Sequence, residues 1–332
     1  MQVMGGIPIN VQPPGGSGGG STIPTIAADV TYNVPTNYPT IAAALAYVQS
    51  AVRLNGAIVT INVESALLPV LNEQIILDEV ELHYVRLTND GPVAVNSTGF
   101  TNSVLGIPAW IYLTHAALGE ITGTWTKGAG GVCIGILTVD GYANAGIISP
   151  APVTCSITGF FYDVFLNAGT LTSVFTTVDS IVVAGNATAE LYSSTTNGSV
   201  TAQNEARFNS TLGTHNTVGG ANNISANTGG EVVLNSCTLN SGTNNIFLFA
   251  DNTGNIRGES ITVNITANNP ALASAAGASN INLNNVTVVG VSASARFTVA
   301  EASMIQAANI GAGFGADSQA ALAVLATGLI IA

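Results

Sequence analysis

Between residues 230 and 310 the sequence repeats itself, and the length of the repeat restricts the folds open to it. Gly230-Glu231-Val232-Val233-Leu234-Asn235 is echoed by Gly254-Asn255-Ile256-Arg257-Gly258-Glu259 and again by Ser279-Asn280-Ile281-Asn282-Leu283-Asn284, with a fainter copy from Ala302 to Ile310. The apolar positions Val232, Ile256, Ile281 and Met304 are spaced by 24, 25 and 23 residues. Earlier in the chain Cys133 and Cys155, in the related strings Val132-Cys133-Ile134 and Thr154-Cys155-Ser156, are 22 apart. A period in the low to middle twenties that reads strand, turn, strand, turn is the length of one coil of a parallel β-solenoid. Leucine-rich repeats share the period but need a Leu-x-x-Leu-x-Leu pattern that this chain lacks. The stretch from Ala57 to about Gly313 has room for about ten such coils, so the chain is expected to be all-β.

The composition has a cause in such a stack. Only 7% of the 332 residues are charged, against roughly 25% in an average soluble protein. Coils stack at about 4.8 Å, so equivalent side chains form ladders; like charges repel there, whereas Asn, Ser and Thr can hydrogen-bond from rung to rung. With 18 acidic and 6 basic residues the net charge is −12, which leaves no basic surface for phosphates. Nucleic acid is therefore not an expected partner. Disorder fits poorly as well, because 47% of residues are hydrophobic. No apolar run reaches 18 residues, so membrane insertion is not expected. The amino terminus lacks the charged and apolar regions of a signal peptide, which points to the cytoplasm as the place of assembly. Three scattered cysteines are too few for a disulfide framework or a zinc site and read as small buried hydrophobes.

Four regions follow along the chain. Residues 1–28 contain Pro13-Pro14-Gly15-Gly16-Ser17-Gly18-Gly19-Gly20 and read as a flexible arm carrying a short apolar tag, Ile7-Pro8-Ile9-Asn10-Val11. Residues 29–56 hold a helix: Ile41, Leu45, Val48 and Val52 make one apolar stripe that Asn55-Gly56 should stop. Residues 57–313 are the expected solenoid, opening on the alternating strand Val59-Thr60-Ile61-Asn62-Val63, with further strands at Gln74 to Leu77 and His83 to Thr88. Residues 314–332 form an apolar tail with Leu322, Leu325 and Leu329 at helical spacing. It either caps its own last coil or associates with copies of itself, and its lack of a polar face favours the second.

The segment Tyr38-Pro39-Thr40-Ile41-Ala42-Ala43-Ala44-Leu45, followed by Ala57-Ile58-Val59-Thr60-Ile61-Asn62-Val63, Glu73-Gln74-Ile75-Ile76-Leu77 and Tyr84-Val85-Arg86-Leu87, resembles the capping helix and first coil of bacteriophage tailspikes and tail fibres. The resemblance covers about a fifth of the chain. It implies a right-handed, pectin-lyase-like parallel β-helix, a homotrimer, and residence in the virion tail. It also implies attachment to a tail or capsid protein through the amino-terminal arm and contact with a host surface polysaccharide. The expected function is receptor binding. The alternatives are a glycan depolymerase on the same scaffold, and a structural virion decoration or surface adhesin without activity.

Glycan hydrolysis needs two carboxylates about 5 to 5.5 Å apart for retention or about 6.5 to 9.5 Å for inversion, and residues one coil apart fall near that range. Asp140 and Asp163 are 23 apart, and Asp179, Glu205 and Glu231 are spaced by 26 and 26, so these five are the catalytic candidates. The competing reading makes them solubilising surface charges. Lyase chemistry lacks both an acidic calcium cluster and a basic partner, since Lys127 is the sole lysine. His83, His115 and His215 stand alone at no metal-ligand spacing, and no metal or cofactor is expected. Aromatic residues crowd between 100 and 165, and sugars stack on exposed rings, which makes Trp110, Tyr112, Trp125, Tyr142 and Tyr162 the glycan-binding candidates. Rings that fill the core or a subunit interface are the competing reading. Trp110 and Trp125 are the best exceptions to it, large rings being seldom fully buried.

Overall fold

The computed structural model describes residues 23–145, 155–173, 177–216, 224–240, 247–264, 273–289, 297–299, 302–308, 324–325 and 328–331. Helix α1 (Ile41–Ser50) stands at the amino-terminal end of the stack. Thr40 caps it, its hydroxyl accepting from the Ala43 N–H, and the Glu73 carboxylate accepts from the N–H groups of Ile41 and Ala42. A carboxylate at that end also complements the helix dipole. Ile41, Ala44, Leu45 and Val48 are buried against the first strands. The helix stops at Ser50, ahead of the expected Asn55-Gly56, and Val52 is not on its stripe. Val52–Arg53 pairs instead with Thr25–Ile26, and the Val52 and Leu54 N–H groups bond to Pro24 and Ile26. Sheet pairing thus takes the backbone that a last helical turn would have used.

Beyond the helix the chain is nearly all β, with long parallel sheets of the kind a β-helix or solenoid contains. There are three, of 14, 10 and 10 strands, here called the long, second and third sheets. The chain visits them in turn: Glu231–Asn235 lies in the long sheet, Thr238–Asn240 in the second, Leu248–Asp251 in the third, and Asn255–Glu259 returns to the long sheet. Alternation sets the faces, as in Val59–Val63, where Val59, Ile61 and Val63 are buried and Thr60 and Asn62 are partly exposed. One continuous apolar core runs through the interior.

The repeat seen in sequence is the pairing register. Val232, Ile256 and Ile281 are successive partners, but the next rung is Ile305 and not Met304, which pairs with Asn280 and is half-buried. Ile305 is the member that buries its side chain. Cys133 and Cys155 are not equivalent positions. Cys155 pairs with Gly123 in the second sheet, while Cys133 sits just before Ile134–Val139 in the third. Both are buried free thiols, as is Cys237.

Ladders of neutral side chains are present. Asn216 donates to Asn197, Asn240 to Asn216 and Asn264 to Asn240, each amide to amide at 2.7 Å. Beside this ladder Thr195, Thr214, Thr238, Thr262 and Thr287 occupy one column of the second sheet. The carboxyl-terminal tail is extended, contrary to its helical spacing. Val324–Leu325 and Gly328–Ile331 join the long sheet beyond Ser303–Ala308, Leu329 pairing with Met304 and Ile330 with Ile305. The last coil offers unpaired N–H and C=O groups, and a strand satisfies them where a helix would not. Leu322 and most of residues 1–28 lie outside the described residues.

Candidate functional site

The two carboxylate ladders expected from spacing do not form. Coil length is not constant: from Gly141 to its partner Gly169 is 28 residues, from Thr170 to Thr188 is 18, and from Thr188 to Arg207 is 19. A period carried back from the last third therefore loses register in the middle. Asp140 occupies a left-handed turn (φ 61°) entering the long sheet, whereas Asp163 lies in the third sheet. Asp179 follows a strand of the second sheet, Glu205 occupies a left-handed turn (φ 66°), and Glu231 heads a strand of the long sheet opposite Arg207.

Asp163 and Asp179 do meet, but as a staple between loops. Asp163 is 0% exposed. One of its oxygens accepts from the Phe160 N–H and the other from the N–H groups of Asp179 and Ser180, while the Asp179 carboxylate accepts from Gly159. Burial pushes the Asp163 carboxyl up to about 7, against the pull of those N–H donors. A group closed off in this way cannot attack a sugar, so its role is structural.

The aromatic cluster divides into inside and outside. Trp110 and Trp125 are both 0% exposed, with ring centroids 4.6 Å apart, and Phe160 stacks on Trp110. The Trp125 indole donates to the Thr122 carbonyl. These rings fill a wide coil of the core and are removed from the glycan-binding candidates. Tyr112 and Tyr162 lie on the outer face of the third sheet, half-buried, with Phe165 beside Tyr162. Tyr142 is on the strand Gly141–Ala145, and its side chain is outside the described residues.

The polar side chains collect on the outer face of the long sheet. Because Val232 and Leu234 point inward, Glu231, Val233 and Asn235 point outward, and the register repeats this on neighbouring strands. Outward rungs run Arg207, Glu231, Asn255, Asn280; then Asn209, Val233, Arg257, Asn282; then Thr211, Asn235, Glu259, Asn284. Glu231 is shared by two guanidinium groups, 3.7 Å from Arg207 and 3.5 Å from Arg257. The Glu259 carboxylate accepts from the amides of Asn284 and Asn285. Between these side chains lies a shallow groove of about 260 Å³ lined by Val233, Asn235, Arg257, Gly258, Glu259, Asn282 and Asn284. Arginines more than half exposed keep N–H donors for a ligand, and the carboxamides supply both donors and acceptors. Such a face suits a polyhydroxyl chain. Of the residues singled out in sequence, Glu231 alone belongs to it; Arg207, Arg257, Glu259 and the asparagines were missed, although three of them stand inside the quoted repeats.

A second groove, of about 550 Å³, opens near the other end of the long sheet between Glu81, His83, His115, Ala116, Ala117, Asp140, Gly141 and Gly169. His115 Nε2 is 3.4 Å from Asp140 Oδ2, both side chains being well exposed. The histidines expected to stand alone are thus brought to one place with two carboxylates. His215 is elsewhere, 0% exposed, bonded to the hydroxyls of Thr196 and Ser210, its imidazole pushed down to about 4 by burial. Among the described residues no group of three or more His, Cys, Asp and Glu is placed to hold a metal ion, and no helix is long and apolar enough to cross a membrane.

The chain matches no protein-family model, no curated protein and no solved structure.

Proposed function

We propose that this protein is a receptor-binding component of a phage tail, a tailspike or tail fibre, that recognises a host surface polysaccharide along the outer face of its long sheet. The observation that carries the reading is the ladder of Arg207, Glu231, Arg257, Glu259, Asn282 and Asn284 on successive parallel strands, which offers a repeating ligand the same polar groups at each rung. A right-handed helix of about ten coils, self-association as a trimer, and attachment to a tail or capsid protein through residues 1–28 complete the proposal. They rest on the capping segment and its resemblance to phage tailspikes.

The second groove supports a depolymerase as the alternative. There Asp140, paired with His115, would act as base and Glu81 as acid. One incubation separates the two readings. Purified protein is mixed with bacterial lipopolysaccharide or capsule, and both the bound polysaccharide and any released oligosaccharide are measured. Binding without release is expected. Release that Asp140→Asn abolishes would replace the receptor-binding reading by the enzymatic one.

A further inference from the structure

The third sheet is unlike the other two in what it turns outward. Its outer column carries Ile76, Tyr112, Leu137, Phe165 and Val182 on five successive strands, and Phe249 three strands further on. Beside the column Ala109, Ile134 and Leu137 form a small buried cluster separate from the main core, roofed in part by Tyr162 and Phe165. Large apolar side chains stay open around it: Ile76 is 50% and Phe161 52% exposed. A face like this on the outside of a solenoid is in excess of what folding the single chain requires.

Charge is segregated away from it. Within the strands of the third sheet the charged residues are Asp163, which is buried, and Asp78 and Asp251, which end their strands. The long sheet, by contrast, holds Arg86, Glu120, Glu190, Arg207, Glu231, Arg257 and Glu259. Two copies that each carry a net charge of −12 repel unless they meet through surfaces without charge. The third sheet has ten strands. At about 4.8 Å per strand and about 15 Å of strand length it covers roughly 700 Å², close to the roughly 800 Å² per partner of a standard stable interface.

We infer that the outer face of the third sheet is where a second copy of this chain docks. Tyr112, Tyr162 and Phe165 are then interface rings, and the polar face of the long sheet stays free. The inference gives a location to the self-association proposed above and does not depend on the polysaccharide reading.

The test is the mass in solution of the full chain, by sedimentation velocity and light scattering at about 20 µM, a concentration well above the dissociation constants expected for an interface of this size. Wild type is expected at a multiple of 33.4 kDa. Phe165→Glu should weaken association about a hundredfold or more, since a carboxylate on each copy would be buried against its neighbour. Thr201→Lys, on the same column but outside the apolar cluster, decides the matter if Phe165→Glu does not fold; Thr214→Lys on the second sheet is the control and should change nothing. A wild type at 33.4 kDa overturns the inference. So does an oligomer that folded Phe165→Glu and Thr201→Lys leave intact, or a monomer that loses polysaccharide binding on Tyr162→Ala, which would make the face a sugar platform.

Discussion

Two buried ionisable groups titrate over nearly the same pH range with opposite effects on stability, so changing either should expose the other. Asp163 has a carboxyl at about 7 in the folded chain and an ordinary value of 3.8 when unfolded. Between those values the native state holds a proton that the unfolded state has lost, so stability falls as pH rises; the span corresponds to about 4 kcal/mol. His215 is at about 4 when folded against an ordinary 6.5. Between those values the unfolded state holds the extra proton, so stability rises with pH, by about 3 kcal/mol. In wild type the two nearly cancel from pH 4 to 7. In Asp163→Asn stability should climb by about 3 kcal/mol over that interval. In His215→Leu, which places there the residue the next rung carries at Leu239, it should fall by about 4 kcal/mol. Urea unfolding followed by circular dichroism at half-unit pH steps measures both slopes. Profiles of wild type and both variants that run parallel would refute the reasoning, because baseline losses from packing or hydrogen bonds do not depend on pH.

Other changes separate the structural parts. Arg86→Ala leaves the Glu120 carboxylate, 0% exposed, without its ion pair, and urea unfolding should show a loss of about 3 to 5 kcal/mol that Arg86→Ala with Glu120→Leu largely recovers. Asn240→Ala breaks two links of the amide ladder and should cost about 1 to 3 kcal/mol in the same assay, whereas Asn209→Ala on the outer face should cost under about 0.5 kcal/mol. Gly169→Ala would place a methyl 1.8 Å from the Gly141 carbonyl oxygen at a φ of +95°, and soluble expression should drop sharply relative to wild type. Trp110→Ala should lower the thermal midpoint, with an unfolding cost of about 3 to 5 kcal/mol, as expected of a core ring.

The repeat of the last third was legible because apolar and polar residues alternate strictly there and the coils from Val232 to Ile305 differ by a residue at most. The same period misled in the middle of the chain, where coils shorten to 18 or 19 residues and turns absorb the difference at left-handed positions such as Asn186, Asn204 and Glu205. Period-based pairing of Asp140 with Asp163 failed for that reason. The helix was legible from its stripe, but its end was not, because Val52 follows a pairing demand set by Thr25–Ile26, far away in sequence. Trp110 and Trp125 look exposed by size alone; only the register shows a coil wide enough to enclose both. His115 and Asp140 come together because each occupies the left-handed turn before a strand of the long sheet, and no sequence spacing announces that.

Binding of wild type, Arg257→Ala and Asn282→Ala to a panel of immobilised bacterial lipopolysaccharides and capsular polysaccharides tests the central claim most directly. The account predicts that wild type retains one or a few polysaccharides and that each variant, with an unchanged circular dichroism spectrum, weakens the interaction about tenfold or more, as loss of a charge-assisted or bidentate hydrogen bond should. A wild type that retains none of them, or variants that bind as wild type does, would contradict it.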